Sequence, residues 1–364
     1  VTVTRESPLP IKHLNHIQAL RGIAALLVVL SHLLITERKY STDQILGDWA
    51  VYGMVGVDLF FVISGFIMVY VMWDRPRGLK AAGEFLWGRA ARIYPLYWII
   101  SAVLLALWLV RPDMVFSSID APPDIVKSFA LFPHEREPLL AVGWTLVHEM
   151  YFYLIFAGIM LLPRGALAPA LVLWALIVFI VNAYENIIGA GGAATQLIFS
   201  YLTLEFIAGA AAACIFKVRR RGMKASKLST LSIVLLILGV LKIALSALHG
   251  DAFPSEHLAR IDDFLFPAVF IVYALAAFDW AGRKVWKQLV TLGDWSYSLY
   301  LTHVLSLTVM GRVWANFSSE SRLDNVIVLL GMTALTIFIS GLVYNYIEAP
   351  IIKAARKASG RLFQ

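Results

Sequence analysis

Ten stretches of this chain are apolar for long enough to cross a bilayer, and they limit what it can fold into more than any other feature. They lie at about 17–36, 51–73, 93–110, 145–162, 167–184, 195–216, 229–248, 264–278, 296–315 and 325–347. A spanning helix needs roughly 17–25 mostly apolar residues. Inside hydrocarbon every backbone N–H and C=O must be satisfied within the protein, which leaves helices and closed barrels. A barrel would show alternating segments of about ten residues, and none is visible. The expected fold is therefore all-α, a polytopic integral membrane protein of about ten transmembrane helices. Composition agrees, at 60% hydrophobic and 15% charged over 364 residues, where soluble domains average about half and a quarter. A soluble enzyme, a disordered chain and a disulfide scaffold are excluded. Cys214 is the only cysteine, so neither an intramolecular disulfide nor a cysteine-based metal site is expected. The first apolar run lacks a small-residue cleavage site and reads as a permanent helix rather than a signal peptide.

The net charge of +7 would suggest nucleic acid in a soluble protein. Here its placement gives a different meaning. Arg75, Arg77, Lys80, Arg89 and Arg92 dominate the segment after the second run, Lys217 to Lys227 the segment after the sixth, and Lys353 to Arg361 the tail. The intervening loops are net acidic, with Asp251, Glu256, Asp262 and Asp263 against Arg260 in one of them. The sign alternates from loop to loop without exception. By the positive-inside rule both termini are cytoplasmic, with no nucleic-acid partner implied. The expected organisation is a cytoplasmic segment 1–16, a transmembrane domain 17–350 and a basic cytoplasmic tail 351–364.

Ionisable groups within the hydrocarbon are costly and point to function by default. Arg21 lies near the cytoplasmic end of the first helix. His32, eleven residues on, sits about 16 Å higher at 1.5 Å per residue and on nearly the same face. Asp58 in the second helix and Glu149 in the fourth share the depth of His32. A carboxylate that orients an imidazole, leaving its other nitrogen as base, suits acyl transfer. Structural readings stand beside these: Arg21 can snorkel to the surface, His32 can be an interhelical donor, Asp58 can pair with a buried cation, and Glu149 can serve helix-start electrostatics. Arg89 and Arg92, three residues apart, share a face and suit phosphates; ordinary positive-inside flanking is the alternative. Ser296, Tyr300 and His303 form one polar stripe, which suits ligand contact or packing. Glu205 is expected to pair with Lys242, and Glu348 with a cytoplasmic arginine. The glycines at 189–192 read as an outer loop, not a phosphate cradle.

Several segments taken together resemble the acyltransferase-3 integral membrane family. Ile17-Gln18-Ala19-Leu20-Arg21-Gly22 followed by His32 is similar to its opening motif, and Gly56-Val57-Asp58-Leu59-Phe60-Phe61 with Ser64-Gly65-Phe66 to its second. Arg89-Ala90-Ala91-Arg92-Ile93-Tyr94-Pro95, Trp144-Thr145-Leu146 with Glu149 and Tyr153, Glu205-Phe206 with Gly209, and Ser296-Tyr297-Ser298-Leu299-Tyr300-Leu301-Thr302-His303 continue the series in order. Tyr346-Ile347-Glu348-Ala349-Pro350 closes it, with Ala349 where an arginine is usual. The resemblance runs from about 17 to 350 and is strongest to the exopolysaccharide O-acetyltransferase branch.

That resemblance implies transfer of an acyl group, usually acetyl from acetyl-CoA, to a hydroxyl of an extracytoplasmic or lipid-linked glycan at the bacterial cytoplasmic (inner) membrane, with no metal. Arg89 and Arg92, with Arg21, would hold the CoA donor. His32 would act as base, with Asp58 or Glu149 orienting it or the acceptor, and Tyr300 and His303 would contact substrate. With no hydrolase-like domain after the tenth helix, the membrane domain would act alone. A proton-coupled transporter of a sugar or acyl compound is the competing reading, although no internal repeat or paired broken helix is visible.

Overall fold

The computed structural model describes residues 14–112, 123–183, 191–249, 260–317 and 322–362. Most of the segment 1–16, much of the acidic loops and Gly189 lie outside these. Among the described residues there is no strand. Helices occupy all ten expected positions: α1 (Asn15–Tyr40), α2 (Val55–Met72), α3 (Leu79–Val110), α5 (Gly143–Ile159), α6 (Leu167–Ala183), α8 (Leu202–Gly222), α9 (Ala225–Leu248), α10 (Phe266–Trp280), α12 (Ser296–Trp314) and α13 (Arg322–Val343). Short helices α4 (Ile125–Ala130), α7 (Ala193–Ile198) and α11 (Lys287–Asp294) lie between them, and α14 (Ala349–Leu362) follows.

Eight helical segments are long and apolar enough to cross a membrane by themselves. α5 and α12 are not among them, for different reasons. α5 has 17 residues, about 26 Å at 1.5 Å per residue. α12 carries Ser296, Ser298, Thr302, His303 and Ser306, all buried. A polar helix of this kind belongs inside the bundle, where neighbouring helices satisfy it.

Two expected boundaries need correction. α3 begins at Leu79, not near 93, and runs for 32 residues through Pro95. Proline removes one backbone bond, but in a membrane helix neighbouring groups compensate. Arg89 and Arg92 are therefore fixed on a continuous helix. The chain stays helical past the tenth apolar run: a wide π-helical turn, Tyr344–Glu348, leads from α13 into α14, which takes in most of the basic tail. α14 packs on the first half of α3, where the Trp87 indole N–H lies 3.4 Å from the Ala355 carbonyl.

Close helix approach rests on glycine. α2 and α8 make the most extensive helix pair. At their crossing a Cβ on Gly65 would strike the Phe206 carbonyl, and one on Gly209 would strike the Val62 carbonyl. Small residues of this kind allow membrane helices to pack by van der Waals contact. α1 is anchored at its start by Asp279 of α10. That carboxylate accepts the His16 N–H at 2.9 and 3.0 Å and the Ile17 N–H at 3.3 Å, and lies 2.8 Å from the His16 Nδ1. These are N–H groups the helix itself leaves unpaired. At the other end of α1, buried Glu37 accepts the Ile45 and Leu46 N–H groups at 2.9 and 3.0 Å and ties down the following loop.

Gly209→Leu should lower the stability of the detergent-purified protein by about 1–3 kcal/mol, whereas Gly331→Ala, with open space around its Cβ position, should cause no loss. Thermal unfolding of the two variants checks this, and equal melting would contradict the glycine interlock.

Candidate active site

Helices α1, α2, α3, α5 and α12 surround one cavity of about 100 Å³. Along α2 its wall runs from Val57 to Met68, about 16 Å of helix at 1.5 Å per residue. Toward the Met68 end stand Arg89 and Arg92 of α3 and Tyr153 of α5; toward the Val57 end stand Phe60, Thr145 and Tyr300. Arg21 and Glu149 also line it. Arg89 and Arg92 open in addition onto a groove of about 720 Å³ between α3 and α14, whose charged lining is Arg75, Arg77, Lys80, Arg356 and one acid, Glu84.

The three cavity arginines are in ion-pair contact with no described carboxylate, although Glu149 and Glu348 act on Arg21 from further off. Among the described residues no acidic side chain lies within ion-pair distance of Arg21, Arg89 or Arg92. The Arg21 guanidinium reaches only the Gln18 side-chain oxygen, at 3.4 Å. Arg89 lies over the rings of Phe85 and Tyr153, at 5.5 and 5.7 Å, with its Nε buried and unbonded. Glu149, the one acidic lining residue, accepts from the Ser64 hydroxyl at 3.0 Å and from the Tyr153 hydroxyl. The cavity is therefore strongly cationic and suited to an anion.

At the Val57 end the polar groups form a column. The Tyr300 hydroxyl is 2.8 Å from the Thr145 hydroxyl, which donates to the Val142 carbonyl at 2.9 Å. The Phe60 and Tyr300 rings meet edge to face at 5.9 Å, the Tyr300 and His303 rings lie 5.8 Å apart, and the His303 and His32 rings meet edge to face at 4.6 Å. His32 and His303 thus stand beyond the Phe60–Tyr300 pair and do not line the cavity.

Backbone carbonyls set the tautomers of this pair. The His32 Nδ1 is 2.9 Å from the Val28 carbonyl, and the His303 Nδ1 is 2.7 Å from the Tyr300 carbonyl. A carbonyl only accepts, so each neutral ring carries its proton on Nδ1 and leaves a lone pair on Nε2. The His303 Nε2 is buried without a partner. Neither Asp58 nor Glu149 contacts an imidazole.

Asp58 is held elsewhere. Arg260 grips it through Nε at 2.8 Å and a terminal nitrogen at 3.2 Å, and Glu205 stands 4.0 Å from the same Nε. All three lie where α2, α8 and the π-helical turn Ile261–Leu265 converge. Glu205 does not pair with Lys242, which instead binds Asp262 and Asp263 at 2.9 Å each; Lys242 is on the lipid-exposed α9 and reaches the nearer acidic pair. Glu348 accepts from the Ser298 hydroxyl at 2.6 Å rather than from an arginine. Arg260 was legible only as a loop charge, although a lone cation in an acidic loop hints at a buried partner. His148 packs against Trp144, Phe61 and Phe152, so of the adjacent His148 and Glu149 only the glutamate lines the cavity.

The described residues thus form an all-helical, multi-pass membrane protein with an arginine-lined cavity, a half-buried His32 and a buried His303. The sequence profile described as Acyltransferase domain matches residues 14–345, and the chain belongs to this acyltransferase-3 family. Among curated relatives, the exopolysaccharide production protein ExoZ of Rhizobium meliloti is 41% identical over 121 residues, covering 32% of this chain and 37% of that protein. Acyltransferase MdmB of Streptomyces mycarofaciens is 25% identical across 95% of this chain and 93% of its own length. Peptidoglycan O-acetyltransferase OatA of Listeria monocytogenes is 24% identical across 94% of this chain, which spans 56% of OatA. No solved structure matches. Family membership makes the protein an acyltransferase and sets aside the transporter reading.

Removing one partner from a buried ion pair costs about 3–5 kcal/mol, so Arg260→Met, which strands Asp58 beside Glu205, should destabilise strongly. Glu205→Gln, which removes only the longer contact, should cost much less. Thermal unfolding compares them, and equal losses would contradict the assignment of Asp58 as the main partner of Arg260.

Proposed function

We propose that this protein transfers an acyl group, acetyl in the first instance, from cytoplasmic acyl-CoA to a hydroxyl of an extracytoplasmic or lipid-linked glycan such as an exopolysaccharide. In this reading all ten long helices span the bacterial inner membrane with both termini in the cytoplasm, as the loop charges favour. The observation that carries the reading is the set of three arginines, in ion-pair contact with no described carboxylate, around one elongated cavity. Such a set needs an anion, and the diphosphate and 3′-phosphate of CoA supply it.

Arg89 and Arg92 stand where the cavity meets the basic groove, so they bind the phosphates. The groove itself offers Arg75, Arg77, Lys80 and Arg356 to the nucleotide end. The pantetheine arm enters the cavity past Arg21, and the thioester comes to the Phe60–Tyr300 end. The acceptor hydroxyl reaches His32 from the opposite side of the membrane. Its proton passes to the His32 Nε2 as its oxygen attacks the thioester carbonyl carbon. The C–S bond then breaks, the sulfur takes the proton from the imidazolium, and CoA thiol and glycan ester leave. A positioned base of this type contributes roughly 10²–10⁴-fold. The Val28 carbonyl performs the orienting task a carboxylate has in other acyl-transfer sites. Asp58 then serves to hold Arg260, and Glu149 to position Ser64 and Tyr153 in the cavity wall. The names of ExoZ and OatA support a glycan acceptor.

His32→Ala should abolish transfer of label from acetyl-CoA to polysaccharide while the protein still folds, and unchanged transfer would remove His32 from the chemistry. Arg89→Gln with Arg92→Gln should weaken CoA binding to the purified protein by about 1.5–3 kcal/mol per lost charged hydrogen bond, read by titration calorimetry. Full CoA affinity in that double variant would refute the docking role.

A further inference from the structure

The cavity stops short of the imidazoles. Its last lining residues are Val57, Phe60, Thr145 and Tyr300, and the His303 and His32 rings begin one ring further along the column. Tyr300 is pinned, since its hydroxyl lies 2.8 Å from that of Thr145 and 3.3 Å from the Val142 carbonyl. Phe60 has no such tether. It is a half-buried side chain on α2 that meets Tyr300 only through the ring edge. Of the two rings closing the cavity, one is fixed and one can be exchanged for a smaller group without breaking a hydrogen bond.

We propose that Phe60, pressed against Tyr300, sets the size of acyl group the enzyme accepts. This rests on the reading that the donor's phosphates dock at Arg89 and Arg92, because that orientation carries the acyl group to the Phe60 end. A short acyl group reaches His32 past the edge of the ring pair, whereas each added methylene must displace the Phe60 ring. One mismatched methylene in an apolar pocket changes specificity by roughly 10–200-fold. Phe60 is thereby a specificity-determining residue, separate from the groups that move protons.

The test uses membranes of a strain lacking its own copy of the protein and expressing either wild type or Phe60→Ala. They are supplied with acetyl-, butyryl- or hexanoyl-CoA labelled in the acyl group, and label is counted in the polysaccharide and lipid fractions. Wild type should favour acetyl, and Phe60→Ala should raise the butyryl-to-acetyl ratio by about ten-fold or more. Phe60→Leu and Phe60→Val should shift the ratio by graded, smaller amounts and carry the test if the alanine variant does not fold. If wild type transfers acetyl and the folded variants keep its chain-length ratio, the size-setting role is overturned and the donor-docking reading stands. If wild type transfers no acyl group from any CoA thioester, the reading fails and the inference falls with it.

Discussion

A guanidinium inside a membrane protein needs a counter-charge, and the way this chain meets or withholds one organises the whole bundle. Arg260 is met by Asp58, with Glu205 close by, and the result is a joint between α2, α8 and α10. Arg21, Arg89 and Arg92 are not met by any described carboxylate, although Glu149 lines the same cavity. Taking charge out of water is expensive, and three such groups around one space suit an anion, which is the basis of the proposed donor site. The same residue type thus acts as a fastener in one place and as a binding surface in another.

The second organising feature is the placement of polarity on α12. Its serines, Thr302 and His303 face neighbouring helices, and its tyrosines bond to the Ile93 carbonyl and to Thr145. This fixes α3, α5 and α12 relative to one another, and hence the arginine-bearing end of the cavity relative to its ring-closed end. The imidazole pair needs no carboxylate, because carbonyls of the previous helical turn already determine which nitrogen carries the proton. A neutral base in a low-dielectric site is also less costly to hold than an ionised dyad.

Much of this was legible in the sequence, because membrane insertion leaves hydropathy and charge as strong signals. Helices occupy all ten apolar runs; of the residues singled out for their unusual polarity, Arg21, Arg89, Arg92, Glu149 and Tyr300 line the cavity, His32 and His303 extend the column at its end, and Asp58, Glu205, Lys242 and Glu348 lie elsewhere. What was not legible is partner choice. Depth along a helix placed Asp58, Glu149 and His32 in one band, but depth carries no azimuth, and the three point to different neighbours. The succession of helices suggests a Glu205–Lys242 pair, whereas Asp262 and Asp263 lie nearer to Lys242. The start of α3 lies upstream of its apolar run because the charges from Lys80 to Arg92 end the hydropathy signal without ending the helix, which packs against α5 and α14.

In the proposed function CoA lies along this cavity with its phosphates at the arginine end and its sulfur at the ring-closed end. A density map of the detergent- or nanodisc-embedded protein with bound CoA tests this most directly. The account predicts phosphate density against Arg89 and Arg92 and the thiol next to Phe60 and Tyr300. CoA bound outside this cavity, or running through it in the reverse direction, would contradict it.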